Sequence, residues 1–345
     1  MNDRQAKIGL VVIGRNEGER LRVCLESVTR LGLPIVYVDS GSTDESVALA
    51  KQMHAQIVEL DNSASFSAAR ARNEGFARLI QVDPEIEYVQ FVDGDCVLAL
   101  GWVQAAAEFL DKHTDYAVVC GRRRERFPAN SIYNRISDLE WDTPIGDSKS
   151  CGGDAMMRAA MFQKVNGFDP AIIAGEEPEL CFRLRKLDWR IHRSDTDMTF
   201  HDLAMTRFGQ WWNRSVRTGR GSLAVLMKLS SEQQPPFAEM LRSNVIWGVL
   251  WPLATLTIAI LAAKVAGPSA SALVLGISLM VFFAQTFRVA SRAYRRIGNW
   301  PLALQYSSLV MIAKFAQVLG YVQLIIRRLV GTKDSNLHYK ETPAV

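Results

Sequence analysis

Two carboxylates separated by one glycine, Asp93-Gly94-Asp95, close the apolar run Tyr88-Val89-Gln90-Phe91-Val92. Carboxylates this close repel each other unless a cation lies between them, and hard oxygen donors suit Mg²⁺ or Mn²⁺ shared with phosphate oxygens. The triplet equally suits an Asp-Gly turn after a strand, so alone it leaves both readings open. Other side chains able to do chemistry are scattered along the chain. Asp39 follows the apolar Ile35-Val36-Tyr37-Val38, an acidic run occupies Glu176-Glu177-Pro178-Glu179, and His201 stands between Phe200 and Asp202. Trp211 and Trp212 neighbour Arg214, Arg217 and Arg220.

These residues need a scaffold, and the chain alternates strand and helix patterns. A strand over Ile8–Ile13 precedes a helix over Arg20–Thr29, whose apolar Leu21, Cys24, Leu25 and Val28 recur at helical spacing. A second strand, Pro34–Val38, ends at Asp39, and Ser42 with Glu45 has capping-box spacing for the next helix. A strand over Gln56–Leu60, a helix over Ser67–Ile80, the strand at Tyr88, a helix over Trp102–Lys112 and a strand over Tyr116–Cys120 follow. Such alternation implies an α/β fold with a parallel, doubly wound sheet, whose ligands lie beyond the carboxyl ends of the strands. Asp39 and Asp93 both fall at such ends. The Glu-rich stretch with Pro178 also suits the first turn of a helix.

The 345 residues carry a net charge of +4 and are 48% hydrophobic, but the apolar residues crowd toward the C-terminus. Ser243–Ala263 and Val265–Phe287 contain no charge and are separated by Lys264; each is long enough to cross a ~30 Å hydrocarbon core. A third run, Ile297–Ile326, contains Gln305, Lys314 and Gln317; it can span, re-enter or lie at the interface. Two or three membrane helices are therefore expected. Arg288, Arg292, Arg295 and Arg296 point to the cytoplasmic side, whereas a spanning third run would place Arg327, Arg328 and Lys333 outside, against that rule. The short polar N-terminus predicts no secretory signal and a cytoplasmic soluble part. The basic residues form no nucleic-acid stripe, so no nucleic-acid partner is expected. Cys24, Cys96, Cys120, Cys151 and Cys181 stand singly, as reduced, buried thiols do.

Over roughly Ile8 to Asp202 the chain resembles family 2 glycosyltransferases with the GT-A fold, a Rossmann-like mixed sheet that binds nucleoside-diphosphate sugars. The matching residues, in order, are Arg15-Asn16-Glu17, Val38-Asp39 with Gly41-Ser42-Thr43-Asp44, Ala71-Arg72-Asn73 and Asp93-Gly94-Asp95. Gly152-Gly153-Asp154-Ala155-Met156-Met157-Arg158, Gly167-Phe168-Asp169, Gly175 to Arg183 and Phe200-His201-Asp202 complete the series. Any one of these is weak, and their order makes the signal specific.

The resemblance implies an inverting, metal-dependent transfer with Mn²⁺ or Mg²⁺ as cofactor. Asp95 would be a direct metal ligand, Asp93 would contact ribose and metal-bound water, and His201 would complete the sphere or be an ordinary loop residue. Arg15, Glu17, Asp39, Arg72, Gly94 and Asp154 would line the nucleotide-sugar site, with Asp39 at the base and Asp154 toward sugar or acceptor. Glu177 falls where the family has its base, but the usual Glu-Asp is here Glu176-Glu177; Glu179 can substitute, or an ionised lipid phosphate needs no base. Ser40 and Gly14 also depart from the common pattern. Gln210-Trp211-Trp212-Asn213-Arg214 lacks the order and spacing of the motif in processive synthases, which favours single additions. Glu176, Trp212 and Arg214 remain candidates for acceptor or phosphate contact, and Arg122, Arg123, Arg124 and Arg126 either meet an anion or form a solvated face.

The expected organisation is a GT-A domain over 1–207, an interfacial connector over 208–242, an α-helical membrane region over 243–330 and a polar tail over 331–345. The expected activity moves one sugar from a UDP- or GDP-sugar to polyprenyl phosphate or a lipid-linked saccharide at the membrane. A processive polysaccharide synthase and a non-catalytic membrane scaffold are the alternatives.

Overall fold

A computed structural model describes residues 7–61 and 64–331, which separate after residue 206 into two compact units. The first opens with β1 (Ile8–Gly14), α1 (Glu19–Thr29), β2 (Ile35–Asp39), α2 (Ser46–Gln52), β3 (Gln56–Glu59), α3 (Ala68–Val82) and β4 (Tyr88–Asp93). It continues with β5 (Cys96–Leu98), α4 (Trp102–Lys112), β6 (Tyr116–Glu125), α5 (Ile132–Trp141), β7 (Gly146–Ser148), β8 (Ala155–Arg158), α6 (Ala159–Lys164), α7 (Glu176–Arg185) and β9 (Arg190–His201).

The sheet order is β3-β2-β1-β4-β8-β6-β9-β5, with β7 also pairing β9. β2 is wholly buried, as are β1 and β4 apart from their last residues; this explains their unbroken apolar sequences, since helices cover both faces. The parallel arrangement expected from the alternating pattern holds for β3, β2, β1 and β4. Beyond β4 the sheet is mixed: β8 runs antiparallel to both β4 and β6, β9 runs parallel to β6, and β5 and β7 run antiparallel to β9. The reversal matters for the site. Because β8 runs against β4, it is the residue preceding β8, Asp154, that reaches the carboxyl end of β4.

Two other expectations are corrected. Ser42 and Glu45 form no capping box: Glu45 makes no side-chain cap, and the Ser42 hydroxyl donates to Asp39 and accepts from the Asn16 backbone N–H. Asp44 instead accepts from the Ser46 N–H. The strand expected over Tyr116–Cys120 runs on to Glu125 with register shifts near Arg122, so the arginine cluster lies largely within a strand instead of following one. Arg122 pairs with Asp142 and Asp195, and Arg124 pairs with Asp138. All five cysteines are free and buried.

The second unit comprises α8 (Phe208–Lys228), α9 (Ala238–Val245), a π-helical turn over Ile246–Leu250, α10 (Trp251–Ala266), α11 (Pro268–Ile297) and α12 (Trp300–Val330). Three helices, Ala238–Ala266, Pro268–Ile297 and Trp300–Val330, are long and apolar enough to cross a membrane. The first begins earlier than the boundary at 243 read from charge alone, and the third run is one continuous helix. Lys314 within it is buried and donates to Ser243 at 2.7 Å, which gives its polar head a partner inside an apolar bundle. α8 packs on α12 where Gly219 and Gly320 let the backbones approach; a Cβ on Gly219 would lie 2.2 Å from the Gln317 carbonyl oxygen. Apart from Gly331, the expected polar tail with Lys333 lies outside the described residues.

Candidate active site

β1, β2, β4, β6 and β9 all end at one edge of the sheet, and β8 begins there. The order reverses at β1, which has β2 on one side and β4 on the other, so a crevice opens beyond its carboxyl end. Register fixes its walls: Gly14 pairs with Asp39 and Ile13 with Asp93. The two acids therefore stand at nearly one level on either side of β1.

On the β2 side, Asp39 is buried and accepts from the Tyr37 hydroxyl at 3.1 Å and the Ser42 N–H at 2.7 Å. Asn16 bonds across to the same loop, accepting from the Thr43 N–H at 2.7 Å, and the Gly18 N–H donates to Asp44. The motifs around residues 15–17 and 41–44 are thus one stitched double loop. Arg15 lies over the Phe66 ring at 5.3 Å, and Glu17 is buried in an ion pair with Arg20 at 3.0 Å.

On the β4 side, Gly94 donates to the Ile13 carbonyl at 2.8 Å, and a Cβ there would come within 3.0 Å of that oxygen. The Asp93 carboxylate receives Arg72 on Oδ1 at 2.8 Å and Arg123 on Oδ2 at 3.2 Å. Burial opposes its ionisation, but the two guanidiniums prevail and hold its carboxyl below the ordinary value. Asp95 lies 3.2 Å from His201 Nε2; β5 brings them together by pairing Cys96 with His201. Oxygen and nitrogen ligand atoms of Asp95 and His201 cluster with the Cys96 sulfur within 4.8 Å of one another. Burial pushes the Cys96 thiol well up, so it remains a neutral group beside the carboxylate and the imidazole.

Asp154 was expected to face sugar or acceptor. It is fully buried: Oδ1 accepts from the Asp93 N–H at 2.9 Å and Oδ2 from the Thr199 hydroxyl at 2.8 Å. The carboxylate orients the β4 tip from behind. Gly153 is required by close approach, since a Cβ would lie 2.3 Å from Arg72 Nη2 and 3.1 Å from Asp93 Oδ2. Gly153→Ala should therefore displace Arg72 from Asp93 and bring a modest fall in melting temperature, which a thermal melting curve checks.

Arg72 is buried and reaches Glu176 at 2.9 Å and Glu177 at 3.9 Å as well as Asp93. Its guanidinium sits over the Phe168 ring at 5.5 Å, while Asn73 bonds both backbone groups of Phe168. That mutual support explains why Ala71-Arg72-Asn73 and Gly167-Phe168-Asp169 belong to one site. Glu177, in the first turn of α7, is pushed up to about 8, by burial first and by the neighbouring Glu176 charge second, with Arg72 opposing. Glu179, one alternative to Glu177 as base, is fully buried in a two-oxygen pair with Arg183.

The structure thus brings together Arg72, Asp93, Gly94, Asp95, Asp154, Glu176, Glu177 and His201, with Arg15, Glu17 and Asp39 on the adjoining strand ends. Trp212 and Arg214 lie on α8 in the second unit. Sequence reasoning named Arg123 only as one of a cluster that meets an anion or forms a solvated face, and missed Trp141: Arg123 lies over the Trp141 ring at 5.0 Å, and the same ring meets His201 edge-on at 5.0 Å. Three consecutive arginines gave no sign that the middle one turns inward. The buried Nε–H groups of Arg15, Arg72 and Arg123 have no hydrogen-bond partner, a donor surplus that suits an anionic ligand.

Residues 10–164 match the model of glycosyl transferase family 2. The chain is 24% identical to a pre-mycofactocin glycosyltransferase of Mycobacterium tuberculosis over 95% of its own length and 73% of that protein's. It is 25% identical to succinoglycan biosynthesis protein ExoA of Rhizobium meliloti, over 56% of this chain and 63% of that one. In structure it is similar to mannosyltransferase PcManGT of Pyrobaculum calidifontis, described in complex with GDP-Man and Mn²⁺, with a TM-score of 0.61 and 16% identity over 94% of this chain and 88% of the other. The mixed sheet is thus a GT-A fold, and the match over residues 10–164, which spans the strands carrying Asp39 and Asp93, identifies a glycosyl transferase family 2 domain within this chain.

Proposed function

We propose that this glycosyltransferase is an inverting, metal-dependent enzyme that moves a single sugar from a UDP- or GDP-sugar to a membrane acceptor, either polyprenyl phosphate or a lipid-linked saccharide. The observation that carries this reading is the pairing of Asp95 with His201 beside Asp93. These oxygen and nitrogen donors fit Mn²⁺ or Mg²⁺. When bound, such a cation offsets the negative charge that develops on the departing diphosphate. Arg15, Glu17, Asp39 and Arg72 form the nucleotide side, Gly94 admits close approach, and Asp154 fixes Asp93 through its backbone. Glu177 takes the proton from an acceptor hydroxyl, with Glu176 holding Arg72 in place.

The membrane acceptor rests on the three long apolar helices and on α8, whose Trp212 and Arg214, unlike the buried Trp211, remain partly exposed and suit a membrane surface. In this arrangement the catalytic unit is cytoplasmic, with Arg288 to Arg296 on the same side. Incubation of detergent-purified full-length chain with labelled donors and three acceptor types (polyprenyl phosphate, a lipid-linked saccharide and water-soluble sugars or peptides) tests it. One sugar in the lipid extract is the expected result. Label confined to water-soluble products would overturn the lipid acceptor, and long products from one donor would support a processive synthase.

A further inference from the structure

We propose that Arg123 is a positioning residue that makes metal binding conditional on the nucleotide diphosphate; this rests on the metal-dependent reading above. Both Asp93 oxygens carry guanidinium partners, Arg72 on Oδ1 and Arg123 on Oδ2. Arg123 also lies 3.6 Å from Asp154 through Nε and donates to Cys96 Sγ at 3.5 Å. The Trp141 ring covers it, and β6 anchors its backbone. Its charge is therefore fixed beside the Asp95–His201 pair.

A divalent cation arriving there alone meets this fixed positive charge, with Asp93 already engaged by two cations. Like charges a few ångströms apart weaken binding strongly even under substantial screening. A diphosphate reverses the balance, because it brings negative charge and oxygen ligands and gives the guanidiniums an anion to face. Metal and nucleotide should consequently bind with positive coupling, and by linkage each strengthens the other by the same factor. Arg123 exerts this effect through Asp93.

The test is Mn²⁺ titration of the detergent-solubilised full chain, followed by the electron paramagnetic resonance signal of free Mn²⁺. It is run without nucleotide and with UDP or GDP, after correction for Mn²⁺ held by nucleotide alone. The wild-type chain should bind Mn²⁺ at least about tenfold more tightly when the cognate nucleotide is present. Arg123→Gln should bind Mn²⁺ about fivefold to tenfold more tightly than wild type in the absence of nucleotide, with the coupling reduced by a similar factor. Arg123→Lys, which keeps the charge, should restore weak nucleotide-free binding; a role limited to packing would not distinguish these variants in this way. Equal wild-type affinity with and without nucleotide overturns the inference even if Arg123→Gln fails to fold. Unchanged nucleotide-free affinity in folded Arg123→Gln also overturns it, while leaving the metal-dependent reading intact. Absence of Mn²⁺ binding in every form and condition removes that reading and this inference together.

Discussion

Asp95→Asn should lower sugar transfer by at least about a thousandfold while leaving the thermal transition within a few degrees of wild type. Asparagine preserves the shape of the side chain but removes a full negative charge and weakens it as a ligand for a hard cation. Asp95 is only 8% exposed and faces His201 at 3.2 Å, so the neutral amide fits the same space and can still meet the imidazole. The effect should therefore appear in turnover and metal dependence more than in folding. Steady-state transfer with increasing Mn²⁺, alongside a melting curve, checks this. Retention of wild-type turnover in Asp95→Asn would remove Asp95 from the metal site.

Glu177→Gln should reduce transfer to a hydroxyl acceptor by about a hundredfold to a thousandfold, with little change in nucleotide affinity. The pH dependence gives a second reading of the same group. Burial and the Glu176 charge raise the Glu177 carboxyl to about 8, and a base acts only when ionised. Activity should thus climb about tenfold per pH unit below about 8 and level off above it. Glu177→Gln should lose that rising limb. The limb also separates acceptor types, since a lipid phosphate is already ionised near neutral pH and needs no base. Transfer to polyprenyl phosphate that is flat through pH 8 and insensitive to Glu177→Gln would assign the chemistry to the acceptor's own charge.

The strand ends at Asp39 and Asp93 were legible in the sequence because buried parallel strands are continuous apolar runs, and the polar residue that ends each run marks its tip. Helix Trp102–Lys112 was equally plain from its apolar spacing. The mixed half of the sheet was not. Nothing local in Ala155-Met156-Met157-Arg158 encodes an antiparallel direction, which depends on how the chain returns from α5 and β7. Asp154 consequently looked like a loop residue facing ligand, whereas its burial behind Asp93 follows from that direction. Ser42 and Glu45 had the spacing of a cap, yet Asp39 and Asn16 compete for the Ser42 hydroxyl and engage it. Arg123 could not be singled out from its neighbours because adjacent charges ordinarily mark a solvated face, and only the extension of β6 and the placement of Trp141 turn it inward.

Release of nucleotide by the detergent-purified full-length chain from a panel of UDP- and GDP-sugars, with Mn²⁺ or with excess chelator, bears on all of these residues at once. Release from one donor class in Mn²⁺, abolished by chelator and by Asp95→Asn, is the predicted result. Undiminished release in chelator, or no release from any donor under either condition, would contradict it.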